Sequence, residues 1–334
     1  MSNRISSVRR PFRAIISAVA ALTLVAACGS DSDGGAEENS GDNVTVSTNT
    51  GEKEVPLNPE RVAVLDNTAM ETVLEFDITP VAVPKPLIPE GIFGVWIEDD
   101  EIFDVGSHRE PDFEALNESE PDVIIGGYRF GEYSDELEKI APVVDVAPAG
   151  EAQSDYVSGL KNQTEALGAI FDEDEAAEEI IGKFDTAVAD ADEATDGETV
   201  FLAVTTGNTI DNGAGRIGRI IEPLNLQDAF ADEDEDLDEE SVHNDSGMAP
   251  ETVAQANPDW AIVMDRDAAI ETAEDFTPAK NLFDAQEAWN DVTFMTEDQV
   301  IYLDPFFYTR EGIQAYTEAY QDIADAFGGQ PTAE

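Results

Sequence analysis

The sequence predicts an α/β protein of two similar lobes joined by a single long helix, with a ligand cleft between the lobes. Three observations carry this expectation. The first is an internal repeat: Glu114-Ala-Leu-Asn-Glu-Ser-Glu-Pro121-Asp122-Val-Ile-Ile125 returns as Glu251-Thr-Val-Ala-Gln-Ala-Asn-Pro258-Asp259-Trp-Ala-Ile-Val263. In each copy a short helix opening near a glutamate ends before Pro-Asp, and an unbroken apolar run follows, the pattern of a buried parallel strand. Each copy also places an arginine eight residues after its proline, Arg129 and Arg266. The second is that similar helix-strand units far apart in the chain argue for two lobes of related design. The third is one long amphipathic stretch between them.

Taken in order, residues 1–27 read as a leader. Arg4, Arg9, Arg10 and Arg13 precede Ala14–Ala27, a run apolar apart from Ser17 and Thr23. A basic segment followed by an apolar one has the form of an export signal. This run is shorter than the ~20 residues a membrane-spanning helix needs, so cleavage is expected. Arg9-Arg10-Pro11-Phe12 carries part of a twin-arginine pattern without a Ser or Thr directly before the pair, which leaves the export route open. Residues 28–43 contain no large apolar side chain and read as a flexible, solvated tether. Cys28 is the only cysteine, so neither a disulfide framework nor a thiolate metal site forms within one chain.

The N-terminal lobe is expected over 44–171, with strands at Arg61-Val-Ala-Val-Leu65 and Pro80-Val-Ala-Val83 and a helix from Met70 to Phe76 between them. Residues 172–195 read as the joining helix. Asp172-Glu-Asp-Glu175 suits the positive end of a helix dipole, and Ile180, Ile181, Phe184, Val188 and Ala191 follow as one apolar stripe. The C-terminal lobe, 196–334, opens with the strand Thr199-Val-Phe-Leu-Ala-Val204 and has a late strand at Gln299-Val-Ile-Tyr-Leu303. In such folds ligands sit at the carboxyl ends of strands, between the lobes.

Charge narrows the function. The chain has 74 acidic against 17 basic residues and a formal net charge of −57, and four of the basic residues lie in the leader. Such a surface repels nucleic acid and anionic lipid. The run from Asp232 to Glu240 lacks the glycine and spacing of a calcium loop and reads as a solvated acidic loop. No Gly-x-Ser-x-Gly, phosphate-binding loop or His-Glu-x-x-His motif occurs, which argues against an enzyme. Two histidines, His108 and His243, are too few for a bare zinc or manganese site.

Several segments, in order and spacing, resemble the siderophore and cobalamin class of substrate-binding proteins of ABC importers, and within it the lipoproteins that bind ferric catecholates. They are Val55-Pro-Leu-Asn-Pro-Glu-Arg61, Val105-Gly-Ser-His-Arg-Glu-Pro-Asp-Phe-Glu114, Asn257-Pro-Asp259 to Arg266, and Val300-Ile-Tyr-Leu-Asp-Pro305. Leu24-Val-Ala-Ala-Cys28 resembles the lipobox of bacterial lipoproteins, which implies that Cys28 is lipidated and anchors an exported protein to the outer face of the cytoplasmic membrane. The resemblance implies a monomeric receptor with no cofactor of its own. Its transported ligand would be a ferric siderophore and its partners an ABC permease and ATPase. A hydroxamate siderophore, haem or cobalamin is the nearest alternative, followed by a surface scaffold or sensor.

The same resemblance assigns roles. Arg129 in Gly126-Gly-Tyr-Arg and Arg216 in Gly213-Ala-Gly-Arg216-Ile-Gly218 stand where the subgroup has arginines for an anionic chelate, and guanidinium groups suit its oxygens. Bridging of neighbouring carboxylates by both arginines is the alternative. The subgroup's lysine three residues past the first arginine is Glu132 here, so Lys85 and Arg310 are the candidates for a third cation. His243 and Tyr308 stand where relatives complete the iron's coordination, and imidazole and phenolate are suitable donors to Fe³⁺. Glu114 and Glu251 match glutamates that dock onto the permease. His108 matches no ligand position, and Trp96, Trp289 and Tyr128 fit a core as well as a cleft.

Overall fold

The computed structural model describes residues 43–149, 155–231, 248–270 and 276–329. Cys28, its tether, the acidic run 232–240 and His243 lie outside them. Two separate five-stranded sheets form the lobes. The first runs Phe103–Asp104, Ala82–Val83, Val62–Val64, Val123–Gly126, Val143–Asp145, with every pairing parallel. Its order reverses between Val62–Val64 and Val123–Gly126, so the loops leaving these two strands diverge and open a crevice at their carboxyl ends. In the second sheet Thr199–Thr206 pairs with Thr209–Asn212 antiparallel and with Gln227–Asp228 parallel on one side. On the other side it pairs with Trp260–Asp265, and Val300–Tyr302 lies beyond.

The repeat has a structural cause. Its helices are Phe113–Glu118 and Pro250–Ala256, and its strands are Val123–Gly126 and Trp260–Asp265. In each lobe the aspartate after proline locks the neighbouring strand. Asp122 Oδ2 accepts from the Arg61 amide at 3.0 Å, and Asp259 Oδ2 accepts from the Thr199 amide at 2.9 Å. The reverse backbone bonds, Asp122 N–H to Arg61 O and Asp259 N–H to Thr199 O, complete each clasp. The register of the two central strands is thus set identically in both lobes, and so is the level at which their carboxyl ends emerge.

A helix over Asp174–Ala194 joins the lobes, preceded by Tyr156–Phe171, which Asp155 caps by accepting from the Ser158 amide at 2.7 Å. The joining helix buries Ala177, Ile180, Phe184, Ala187 and Ala191, while Ile181 and Val188 pack partly buried beside them. The C-terminal helix Ile313–Phe327 lies along it, with Tyr320 edge-on to Phe184 at 5.8 Å. Each large apolar side chain fully buried here contributes about 1.5–3 kcal/mol. Trp96 and Trp289 are core residues, at 2% and 1% exposure.

Candidate functional site

Three loops bring the site together. In the first lobe, the strand Val123–Gly126 ends at Gly127 with φ of 99°, and Tyr128 follows at 45°. A Cβ at Gly127 would stand 2.4 Å from the Asp145 carboxylate, so only glycine fits this turn. The turn carries Tyr128 and Arg129 into the interlobe space. In the second lobe, Gly213 packs against the strand Thr199–Thr206, where a Cβ would meet Val204 at 2.7 Å. The turn it allows is held by Asn212 Oδ1 accepting from the Ala214 amide and presents Arg216 and Arg219.

The third loop is the segment from Asp304 to Gly312, which follows the last strand and runs against the first lobe. Asn67 Nδ2 donates to the carbonyls of Thr309 and Arg310, both at 3.1 Å. Arg310, 4% exposed, makes two hydrogen bonds to Glu71, each 2.9 Å, and two to Glu318, at 2.6 and 2.9 Å. It is therefore an interlobe tie with its donors spent on carboxylates, and it supplies no charge to the cleft.

Around Tyr308 the predicted arginines converge. The guanidinium of Arg129 lies 4.8 Å from the Tyr308 ring centroid, that of Arg216 4.5 Å, and that of Arg266 5.1 Å. Burial raises the Tyr308 phenol, but hydrogen bonds from Arg129 and Arg266 and the charges of Arg129 and Arg216 outweigh it and bring it down to about 8. The arginines thus favour the phenolate of Tyr308 more than water does for an ordinary tyrosine.

Beneath this cluster Glu311 is fully buried. Its carboxylate accepts from Arg219 Nη2 at 2.8 Å, Arg129 Nη2 at 3.1 Å and the Tyr128 hydroxyl at 2.8 Å, with Arg216 Nη2 at 3.7 Å. Carboxylate bridging by Arg129 and Arg216 and their placement at the cleft therefore hold together. Tyr128 belongs to the site, and Arg219 lies over the ring of Tyr156 at 3.8 Å.

Above the cluster opens a cavity of about 560 Å³ lined by Lys85, His108, Arg109, Arg129, Arg266 and Tyr308 among others. Lys85 reaches it, although its Nζ donates to the carbonyls of Ile97 at 3.1 Å and Asp99 at 2.8 Å. His108 also faces it. Burial, then the charges of Arg129 and Arg109, hold its imidazole below the usual range. Arg266 is the repeat's counterpart of Arg129, a signal present in the sequence, and Arg219 follows Arg216 by one helical turn. Nothing in the pattern marks Glu311. Glu114 and Glu251 are exposed in the first turns of the two repeat helices.

A cleft lined by cations from both lobes, in a chain of such negative charge, defines a two-lobed solute-binding protein. The chain belongs to the periplasmic binding protein family, whose model matches residues 62–306. It is similar to the petrobactin-binding protein YclQ of Bacillus subtilis, 26% identical over 328 residues, 95% of this chain and 98% of that one. It is also similar to the ferric-anguibactin-binding protein FatB of Vibrio anguillarum, 22% identical over 295 residues, 85% of this chain and 87% of that one. The solved structure of the periplasmic catecholate-siderophore binding protein VctP of Vibrio cholerae matches with a TM-score of 0.72 at 26% identity, covering 84% of this chain and 99% of that one.

Proposed function

We propose that this protein is the substrate-binding component of an ABC importer and captures a ferric siderophore, of catecholate type, for delivery to the membrane permease. The observation that carries this reading is the convergence of Arg129, Arg216 and Arg266 from two lobes on Tyr308 beside a cavity of about 560 Å³. A ferric tris-catecholate is a bulky anion whose oxygens accept from guanidinium groups, and fixed arginines hold it without covalent chemistry. Tyr308, with its acidified phenol, is the protein's donor to Fe³⁺ where the chelate leaves a position open. His243 is proposed as the second such donor, and Lys85 as a peripheral contact.

Glu114 and Glu251, one on each lobe, are proposed to dock on the permease, and Cys28 to carry the lipid that keeps the exported receptor at the membrane. Replacing Cys28 with serine then releases the protein from the membrane fraction. The decisive experiment is fluorescence-quenching titration of the lipid-free protein with ferric tris-catecholate, ferric hydroxamate, haem and cobalamin. Ferric catecholate is expected to bind below micromolar and ahead of the other three. If none binds more tightly than micromolar, the proposal fails.

A further inference from the structure

Glu311 is a carboxylate in a place where its own backbone works against it. Its φ of 51° lies in the left-handed region, which favours glycine or asparagine over a long charged side chain. Next to it, a Cβ on Gly312 would stand 2.4 Å from the Thr68 carbonyl, so the chain passes too close to the first lobe to relax. The Tyr156 hydroxyl fixes the Glu311 carbonyl at 2.8 Å. The side chain is fully buried, and its oxygens meet Tyr128 and Arg129 of the first lobe and Arg219 and Arg216 of the second. Burying a carboxylate is unfavourable unless cations and donors satisfy it, and here several do.

The same guanidinium groups face two ways. Arg129 and Arg216 lie over the Tyr308 ring on the cleft side and turn Nη2 toward Glu311 on the other. Among the described residues the Nε atoms of Arg216 and Arg219 meet no acceptor, so the cluster has donor capacity to spare. Three arginines sharing one carboxylate leave a smaller net positive charge beneath the cleft than the arginines alone would give.

We propose that Glu311 sets the charge preference of the cleft: it is a built-in anion seated among Arg129, Arg216 and Arg219 that limits how negative a ferric chelate the protein retains. It also links the lobes, through Arg129 on one side and Arg216 and Arg219 on the other. This rests on the siderophore reading given above, and it concerns a residue that never touches iron.

The test compares two chelates of different charge. Three catecholate dianions around Fe³⁺ make a trianion, whereas three hydroxamates make an uncharged complex. Glu311→Gln is expected to raise affinity for a ferric tris-catecholate roughly tenfold, the size of effect one charge has on a trianion about 10 Å away in a solvated site. Affinity for a ferric tris-hydroxamate should stay within about twofold, because an uncharged ligand lacks that Coulomb interaction. An equal change for both chelates, or weaker catecholate binding, overturns the proposal.

Because Glu311→Gln alters a buried cluster, Glu311→Gly provides the second arm, since glycine accepts the left-handed backbone. Its melting temperature is expected to rise saturably with acetate, which re-seats a carboxylate, and not with chloride at equal ionic strength; the wild type should not respond. Absence of that rescue also overturns the proposal. A wild type that binds neither chelate defeats the siderophore reading instead and leaves the acetate arm to decide whether the seat exists.

Discussion

Tyr308 offers a measurement on the unliganded protein. Its phenol is brought to about 8, about a hundredfold more acidic than an ordinary tyrosine. The other six tyrosines move the opposite way: burial pushes Tyr128 up to about 12 and raises Tyr133, Tyr156, Tyr302, Tyr316 and Tyr320 as well. A near-ultraviolet titration of the folded protein should therefore show a first phenolate step near pH 8 with the amplitude of one tyrosine, well separated from the rest.

Tyr308→Phe removes that step. Arg129→Ala or Arg266→Ala moves it upward, because each deletes a hydrogen bond that opposes the effect of burial. The sign extends to stability. The folded pKa lies below the unfolded value, so this group's contribution grows as pH rises from about 8 to 10 and vanishes as pH falls through 8. A first step at 10 or above, or an early step that survives Tyr308→Phe, refutes the assignment and with it the view that arginines ready this phenol for iron.

Four further expectations follow. Arg266 has no carboxylate partner among the described residues, so Arg266→Ala should weaken ferric-siderophore binding and lower stability less than Arg129→Ala does. Arg129→Ala should weaken binding and also cost about 1–3 kcal/mol in denaturant unfolding, because it strips a buried acceptor of one donor; equal stability losses in the two variants would count against the difference. Arg310→Met leaves the Glu71 carboxylate buried without its cation and should cost about 3–5 kcal/mol by urea denaturation, whereas a loss under about 1 kcal/mol would show that the tie is not stabilising. Glu114→Arg combined with Glu251→Arg should leave siderophore affinity intact and abolish iron uptake in cells; normal uptake would remove both residues from the permease interface.

The fold was legible wherever local pattern and burial agree. The strands at Val62–Val64, Ala82–Val83, Thr199–Thr206 and Val300–Tyr302 fall within or around the apolar runs that suggested them. The helix Tyr156–Phe171 is harder to see because its buried face includes Gly159, Gln163, Thr164 and Gly168. Two of these are close-packing positions: a Cβ on Gly159 would stand 2.2 Å from the Pro148 carbonyl, and one on Gly168 would meet Ala177 at 2.7 Å. Gln163 is buried because it donates to Asp66 and Thr68. A face chosen for close approach and hydrogen bonding carries little hydrophobic periodicity, so an amphipathic pattern does not reveal it.

The site divides along a similar line. Arg129 and Arg216 lie at strand and turn ends whose glycines announce them, and Arg266 is marked by its repeat relation to Arg129. For the third cation, spacing alone left Lys85 and Arg310 open. What separates them from Arg266 is where their donors go: to backbone carbonyls for Lys85, to Glu71 and Glu318 for Arg310, and toward Tyr308 for Arg266. In a chain with 74 carboxylates, a single glutamate carries no local signature of being buried. Glu311 acquires its character only when two lobes and a close-packed loop bring three arginines and a tyrosine to one point. A residue whose role is to balance charges assembled by the tertiary fold becomes visible once those charges have been placed, and substitutions at it are therefore read most clearly through ligand charge, not through ligand shape.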